Sequence, residues 1–216
     1  MQLAAIDLAC VRAGRAVFAG LSFTLAAGEA MTVLGRNGAG KTSLLRLIAG
    51  LLRPAAGQIR IDGGDADLSL AEQCHYLGHQ DAAKPFLTVA ENHAFWAHYL
   101  GSGKNPGALA ALDLETLADI PAAYLSAGQR RRLSLARLIA APRPIWLLDE
   151  PAASLDAAAQ ERLGEIMRKH LAAGGIVVAA THGPLTLDGA KVLHLDHMPS
   201  REPAAATALD APGEWA

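Results

Sequence analysis

Long apolar runs are missing from this sequence of 216 residues. A helix that spans a membrane needs about 20 largely apolar residues, and the nearest stretch, Leu133–Leu148, is broken by Arg137, Arg143 and two prolines. Asp7 also interrupts the apolar region that a secretion signal would place near the N-terminus. We therefore expect a cytoplasmic chain that reaches a membrane only through a partner.

Cysteine is scarce as well, and its two occurrences fall in separate strand-like runs, which predicts buried thiols rather than a disulfide. Eight histidines raise the question of a metal or haem site. Cys74 lies near His75 and His79, but neighbouring strand residues point to opposite faces, and the sequence holds no C-x-x-C-H motif. His194 and His197 have no cysteine nearby. We expect neither a metal-cysteine site nor direct haem binding.

The charges nearly balance, with a net charge of −2, so the chain lacks the basic excess of a nucleic-acid-binding protein. The one basic run, Arg130–Arg132, could be a nucleic-acid patch, but a solvated or phosphate-facing helix edge accounts for it better. About half of the residues are apolar, which is enough for one complete core. We expect no nucleic-acid partner and no second enzymatic domain.

A phosphate-binding loop is the clearest motif that the sequence does contain. Residues 35–42 read GRNGAGKT and fit the pattern G-x-x-x-x-G-K-[ST], whose backbone N–H groups surround phosphate oxygens. A strand-like run, Ala30–Leu34, precedes it, and Lys41–Gly50 has helical spacing, so the loop would lie at a helix N-terminus. The alternative is a Gly-rich turn with a solvated lysine. The candidate nucleotide-binding residues are Gly35, Arg36, Asn37, Gly38, Ala39, Gly40, Lys41, Thr42 and Ser43.

In such a loop the lysine binds the β- and γ-phosphates and the hydroxyl of Thr42 binds Mg²⁺. Two acids complete the chemistry, because Asp149 ends the apolar strand-like run Ile145–Leu148 and Glu150 follows it. An aspartate at this strand end meets the metal shell, and the next carboxylate can polarise water against the γ-phosphate. We therefore predict Mg²⁺-ATP as the ligand, with Glu150 as general base or water-orienting residue. Two acids that merely cap a strand are the alternative.

The order of motifs resembles the ATP-binding cassette (ABC) ATPases. After the phosphate loop come Gln80 behind the strand-like Cys74–Leu77, a signature LSAGQ at Leu125–Gln129, and the two acids. A Ser154–Leu155–Asp156 loop and His182 behind a further strand complete the set. The resemblance covers about residues 3 to 196, and the signature departs from the commoner LSGGQ only by Ala127. Read alone, Asp156 is a helix N-cap.

The resemblance implies a dimer with two nucleotides held between its subunits. Ser126, Gly128 and Gln129 would bind the γ-phosphate of ATP held by the second ATPase subunit. Gln80 would sense Mg²⁺ and the attacking water, and His182 would hold the γ-phosphate and Glu150 in register. The implied catalytic residues are Glu150, His182 and Gln80, and the implied metal ligands are Thr42, Gln80 and Asp149.

One contact usual in this family is absent. An aromatic residue normally stacks on adenine about two dozen residues before the phosphate loop, and Arg12 occupies that position here. A guanidinium can also lie flat on a purine, so we predict Arg12 as a nucleotide contact. Phe18 is a second candidate, although its apolar neighbours favour a core position. Weaker or less base-selective nucleotide binding is the hypothesis that follows.

The predicted fold class is α/β: a P-loop NTPase of the ABC type with a mostly parallel sheet and a small helical insertion. Alternating strands and helices after residue 30 favour the parallel sheet, whereas Leu3–Val11 and Val17–Leu25 are typical of antiparallel side strands. We expect one domain over residues 1–216, a helical subdomain over about 81–140, and a flexible Ala/Pro-rich tail at 199–216.

A subfamily resemblance goes further. The segment Tyr76–Trp96, the signature region and the run WLLDEPAASLD are similar to the ATPase subunit of the cytochrome c maturation system, a haem exporter. This implies a peripheral subunit at the cytoplasmic face of the inner membrane, beneath polytopic membrane subunits. A cytosolic assembly ATPase, such as the iron–sulfur scaffold type, and the ATPase of another small exporter are the alternatives. The sequence lacks the coiled coils of DNA-repair relatives and the second cassette of translation-factor relatives.

Overall fold

The computed structural model describes residues 1–102, 107–182, 185 and 187–197. The predicted tail at 199–216 lies outside these residues. No helix in the described part of the chain is both long and apolar enough to cross a membrane.

The described residues form eight strands and five helices. The strands are β1 Gln2–Arg12, β2 Arg15–Ala26, β3 Ala30–Leu34, β4 Ala56–Asp62, β5 Cys74–Leu77, β6 Ile145–Asp149, β7 Ile176–Ala180 and β8 Lys191–His194. The helices are α1 Lys41–Ile48, α2 Val89–Tyr99, α3 Gly107–Ala110, α4 Ala127–Ala140 and α5 Ala157–Ala172. Short 3-10 turns occupy Glu115–Leu117, Ala122–Tyr124 and Leu195–His197.

The central sheet has the strand order β5-β6-β7-β3-β8, and all of its neighbours are parallel. Every residue of β6 and β7 is buried, as expected for strands covered on both faces. Because parallel strands share a direction, their carboxyl ends meet at one edge of the sheet. The predicted α/β fold with a mostly parallel sheet is confirmed.

A second, antiparallel sheet has the order β2-β1-β4. Its strands β1 and β2 extend one or two residues beyond the predicted Leu3–Val11 and Val17–Leu25, and they enclose the tight turn Ala13–Gly14. Both predicted side strands are therefore confirmed. The sheet covers α1 and one face of the central sheet with fully buried Leu3, Leu8 and Leu21.

Two apolar cores lie on opposite faces of the central sheet, and the alternation of side chains along β6 separates them. Ile145 and Leu147 point into the core with α1 and the antiparallel sheet, whereas Trp146 and Leu148 point into the core with α4 and α5. Packing on both faces therefore fixes the position of β6 between the two cores and its orientation about its own axis. Its last residue, Asp149, is held at the sheet edge.

Helices α2, α3 and α4 all fall within the stretch predicted as a helical subdomain. A capping box between Thr88 and Glu91 begins α2, and fully buried Asn92 bonds backbone groups of residues 84, 87 and 88. These bonds fix the chain between the central sheet and α2. Whether the stretch behaves as a separate subdomain stays a prediction.

The two cysteines, Cys10 and Cys74, are buried and free, as predicted. Burial raises the pKa of the Cys74 thiol to about 12. Burial also lowers the pKa of neighbouring His75 to about 4, and its Nε2 lies 2.6 Å from the Ala141 carbonyl oxygen. At neutral pH both side chains are uncharged parts of the core.

Candidate functional site

The loop between β3 and α1 depends on glycine. Gly38 and Gly40 have φ of 85° and 101°, in the left-handed region that glycine occupies without strain. A Cβ on Gly40 would also lie 2.4 Å from Val17 of the antiparallel sheet. Gly40 is the N-cap of α1 and makes no side-chain cap, so the first N–H groups of the helix are left to face a ligand.

A cleft of about 570 Å³ opens over this loop. It is lined by Arg12, Val17, Arg36, Asn37, Gly38, Gly40, Lys41, Thr42, Ser43, His79, Asp149, Glu150 and His182. Most of the residues predicted to bind the chain's own nucleotide therefore surround one cavity. Val17 and His79 also line the cleft, and the sequence did not predict them as site residues because neither belongs to a motif.

Lys41 is held by the backbone of its own loop. Its side chain is largely buried, and Nζ donates to the carbonyl oxygens of Gly35 at 2.6 Å and Arg36 at 3.3 Å. Nζ also lies 3.2 Å from Nε2 of His182, which follows β7. The ammonium group is therefore fixed at the floor of the cleft, where it faces any anion that enters.

Thr42 and Asp149 meet across the same floor. The Thr42 hydroxyl donates to Oδ2 of Asp149 at 2.8 Å, and the carboxylate is buried at the end of β6. One hydroxyl and one carboxylate at this distance form the oxygen donor set that Mg²⁺ prefers beside phosphate. The donor chemistry fits a magnesium ion shared with a nucleotide.

Glu150 has a strained backbone and an unpaired carboxylate oxygen. Its φ of 48° lies in the left-handed region, which is uncommon for a residue with a side chain. Its N–H donates to the Ala180 carbonyl oxygen at 2.9 Å, while buried Oε1 has no hydrogen-bond partner among the described residues. His182 Nε2 is 3.6 Å from Oε1, too far for a hydrogen bond. Glu150 therefore lines the cleft with one carboxylate oxygen enclosed and without a hydrogen bond among the described residues.

Asp196 clamps the start of the loop from the C-terminal side, a contact that the sequence analysis missed. Its carboxylate accepts the N–H of Arg36 at 2.8 and 3.1 Å. The carbonyl of the same peptide unit, that of Gly35, accepts from Lys41. One peptide plane is thus held at both ends, and its carbonyl end positions the lysine.

The residues predicted to bind the nucleotide of a second subunit (the trans residues) lie outside this cleft, at the start of α4. Ser126 Oγ accepts the N–H of Gln129 at 3.2 Å, and Gln129 Oε1 accepts the N–H of Ser126 at 2.8 Å, so the two form a capping box. A Cβ on Gly128 would lie 2.7 Å from the Ser154 carbonyl oxygen, so this position requires glycine. The S-x-x-Q spacing could have revealed the capping box from the sequence.

Four further residues predicted from the sequence have separate outcomes. Gln80 is exposed beyond β5 and does not line the cleft, whereas its neighbour His79 does, so the role of Gln80 stays a prediction. Arg12 lines the cleft beside Val17, and the lining residues include no Phe, Tyr or Trp. Phe18 is fully buried in the core, so the alternative that it stacks on adenine is wrong. Asp156 caps α5, as predicted, by accepting the N–H of Ala159.

Comparison with known proteins agrees with this geometry. The family model described as ABC transporter matches residues 18–153. The cytochrome c biogenesis ATP-binding export protein CcmA of Bradyrhizobium diazoefficiens is 60% identical over 190 residues, which cover 87% of this chain and 95% of the relative. The protein of the same name from Rhodopseudomonas palustris is 60% identical over 86% of this chain and 94% of its own length.

Among solved structures, the similar ones include a dimeric post-hydrolysis state of the ATP-binding cassette MJ0796 bound to ADP and phosphate. It is 25% identical, has a TM-score of 0.71, and the match covers 84% of this chain and 88% of that one.

The clamp on the Gly35–Arg36 peptide generates a prediction. Replacement of Asp196 with Ala should weaken ATP binding about fivefold, because the peptide that positions Lys41 loses a charge-assisted hydrogen bond. Asp196→Asn is the matched control, since it keeps an acceptor oxygen and should bind ATP within about twofold of the wild type. Equilibrium nucleotide titration measures both, and equal affinities for Asp196→Ala and the wild type would contradict the prediction.

Proposed function

The chain belongs to the ABC transporter family, and from that premise we propose that it is the ATP-hydrolysing subunit of a transporter complex that serves cytochrome c biogenesis, at the haem-export step. The observation that carries the proposal is the 60% identity over 95% of a relative named for that process. A match of this extent includes the signature and the helical region as well as the phosphate loop. The cleft supplies the chemistry that ATP hydrolysis needs.

We assign the phosphates of ATP to the loop and to Lys41. The N–H groups at the start of α1 and the ammonium of Lys41 face the cleft and would bind the β- and γ-phosphate oxygens. Thr42 and Asp149 would hold Mg²⁺, with Gln80 as a further predicted ligand. When bound, Mg²⁺ neutralises charge that develops on the transferred phosphoryl group. Arg12 would lie against the base.

We assign the water to Glu150. The Glu150 carboxylate lines the cleft and would accept the proton of a water that attacks the γ-phosphate, and its strained backbone sets the direction of the side chain. His182 lies within 3.6 Å of Glu150 Oε1 and 3.2 Å of Lys41 Nζ, between the base and the phosphate-binding cation. It would hold both in register with the γ-phosphate.

The trans half of the site belongs to a second ATPase subunit. Ser126, Gly128 and Gln129 form the N-terminus of α4, where the helix dipole favours an anion, and they do not line the cleft of their own chain. We propose that they bind the γ-phosphate of the nucleotide on the partner. Two chains arranged head to tail would then enclose two ATP molecules. The dimeric state of the related MJ0796 cassette supports a dimer.

Exposed aromatic side chains on the helical region support a docking face for the membrane subunits. Phe86 is 93% exposed and Tyr99 is 70% exposed, in a chain with few aromatic residues. Phe95 stacks on Tyr99, and both rings lie beside Trp96. A neighbouring groove of about 590 Å³ separates α2 from β5. We propose that polytopic membrane subunits dock here on a subdomain of residues 81–140 and hold the chain at the cytoplasmic face of the inner membrane.

The first prediction of this proposal concerns hydrolysis. Glu150→Gln should retain ATP binding while lowering turnover about 10²-fold or more, because the water loses its base and the phosphate-binding loop is unchanged. ATP and Mg²⁺ should then stabilise a dimer in size measurements. Lys41→Ala is the contrasting variant and should lose nucleotide binding itself. Near-normal phosphate release by Glu150→Gln would refute the assignment of the base.

A second prediction concerns the membrane partner. Photo-crosslinkers at Phe86 or Tyr99 should capture a polytopic membrane subunit, because Phe86 is almost fully exposed and Tyr99, although it stacks on Phe95, keeps most of its surface exposed. A crosslinker at exposed Glu161 on α5 is the matched control and should capture little. Crosslinks found only from the control position would show that the partner docks elsewhere.

The third prediction is physiological. A strain that carries Lys41→Ala should make haem and other haem proteins but lack covalently bound c-type haem, because the export step loses its energy source. Haem staining of denatured proteins measures this directly. The purified wild-type protein should show no stoichiometric haem absorbance, since the proposed ligand is a nucleotide. Normal c-type cytochromes in that strain would favour another small exporter or an assembly ATPase of the iron–sulfur scaffold type.

A further inference from the structure

Arg131 on α4 is a buried cation whose hydrogen-bonding capacity is fully used. Its residue exposure is 3%, and a guanidinium carries five N–H donors. The structure supplies five acceptors: the carbonyl oxygens of Gly78, Asp149, Glu150 and Pro151, and Oδ1 of Asp81. Such complete satisfaction of a buried side chain fixes it in one position.

These acceptors belong to two segments of the nucleotide site. Three successive carbonyls come from Asp149 at the end of β6 and from Glu150 and Pro151 in the turn that follows it. The other two come from residues 78 and 81, which enclose His79 of the cleft and the exposed Gln80. Arg131 therefore joins α4 to the turn with the proposed base and to the segment after β5.

The strained conformation of Glu150 depends on such contacts. A residue with a side chain is strained at a φ of 48°, and this conformation persists only where the surroundings hold it. The N–H of Glu150 donates to the Ala180 carbonyl oxygen. Nη2 of Arg131 donates to the Glu150 carbonyl oxygen at 2.8 Å and to the Asp149 carbonyl oxygen at 2.7 Å. The guanidinium thus fixes both peptide groups that orient the Glu150 side chain.

We propose that Arg131 is a positioning residue that couples the signature end of α4 to the base of the same chain. Ser126 begins the helix, and Arg131 lies five residues further along it. If Ser126 meets the γ-phosphate of the partner, as proposed above, occupation of one site moves the same rigid helix that holds Glu150 of the other. The inference rests on that proposed function. It adds a direct link between the two nucleotide sites.

Lysine could not replace this arginine, because its three donors radiate from one nitrogen and cannot reach acceptors on both segments. Arg132 offers a matched control on the same helix. It donates to the carbonyl oxygens of Leu112 and Asp113 in the helical region and makes no bond to the turn after β6 among the described residues. Loss of Arg132 removes a similar side chain without touching Glu150.

The test compares Arg131→Gln, Arg131→Lys and Arg132→Gln. At saturating ATP, Arg131→Gln should turn over at least about tenfold more slowly with an ATP Kd within about threefold of the wild type, because the base is misplaced and the phosphate-binding loop is intact. Arg131→Lys should show the same split, and Arg132→Gln should stay within about threefold in both quantities. Rates are expressed per nucleotide-binding molecule, so partial unfolding cannot imitate the effect.

A double-mutant cycle with Glu150→Gln distinguishes a positioning role of Arg131 from a general loss of structure. If Arg131 acts through the base, Arg131→Gln should lower turnover no further in the Glu150→Gln background. Multiplicative losses, or unchanged turnover in both Arg131 variants, would overturn the inference. Wild-type ATP binding and hydrolysis are measured alongside, so that their absence would count against the proposed function instead.

Discussion

The common direction of the five strands in the central sheet is the constraint on which the site depends. Because all five are parallel, the loop after β3, the acids after β6 and the histidine after β7 emerge at one edge. The contacts between Lys41 and His182, and between Thr42 and Asp149, join residues more than a hundred positions apart. Burial of β6 and β7 on both faces makes that edge rigid.

Backbone carbonyl oxygens hold the two cations that position the nucleotide site at this edge of the sheet. Lys41 rests on the carbonyls of its own loop, and Arg131 rests on those of the turn that carries Glu150. Neutral acceptors fix a cation without cancelling its charge, so Lys41 remains able to bind phosphate. The buried carboxylate of Asp149 contacts a hydroxyl instead of a cation in the described part of the chain. The arrangement is therefore suited to a ligand that brings both anionic oxygens and a metal ion.

The sequence predicted those parts of the site that local patterns encode. The loop, α1 and the end of β6 follow from glycine spacing and apolar runs, and Asp156 as an N-cap follows from its position before a helix. Contacts between residues distant in the sequence could not be predicted from it. Asp196 lies 160 residues from Arg36, and Arg131 approaches Glu150 only because α4 packs against β6. Val17 enters the cleft because the antiparallel sheet closes over Gly40.

Complementation between two inactive variants tests the head-to-tail composite site most directly. Lys41→Ala removes the cis half of each site, and Ser126→Arg should block the trans half, so neither variant alone should hydrolyse ATP. In a mixed dimer, the loop of the Ser126→Arg chain meets the signature of the Lys41→Ala chain, which restores one complete site. Equal mixing should therefore recover up to about a quarter of wild-type turnover, since half of the dimers are mixed and each has one of two sites. Full activity of Ser126→Arg alone, or no recovery on mixing, would contradict the account.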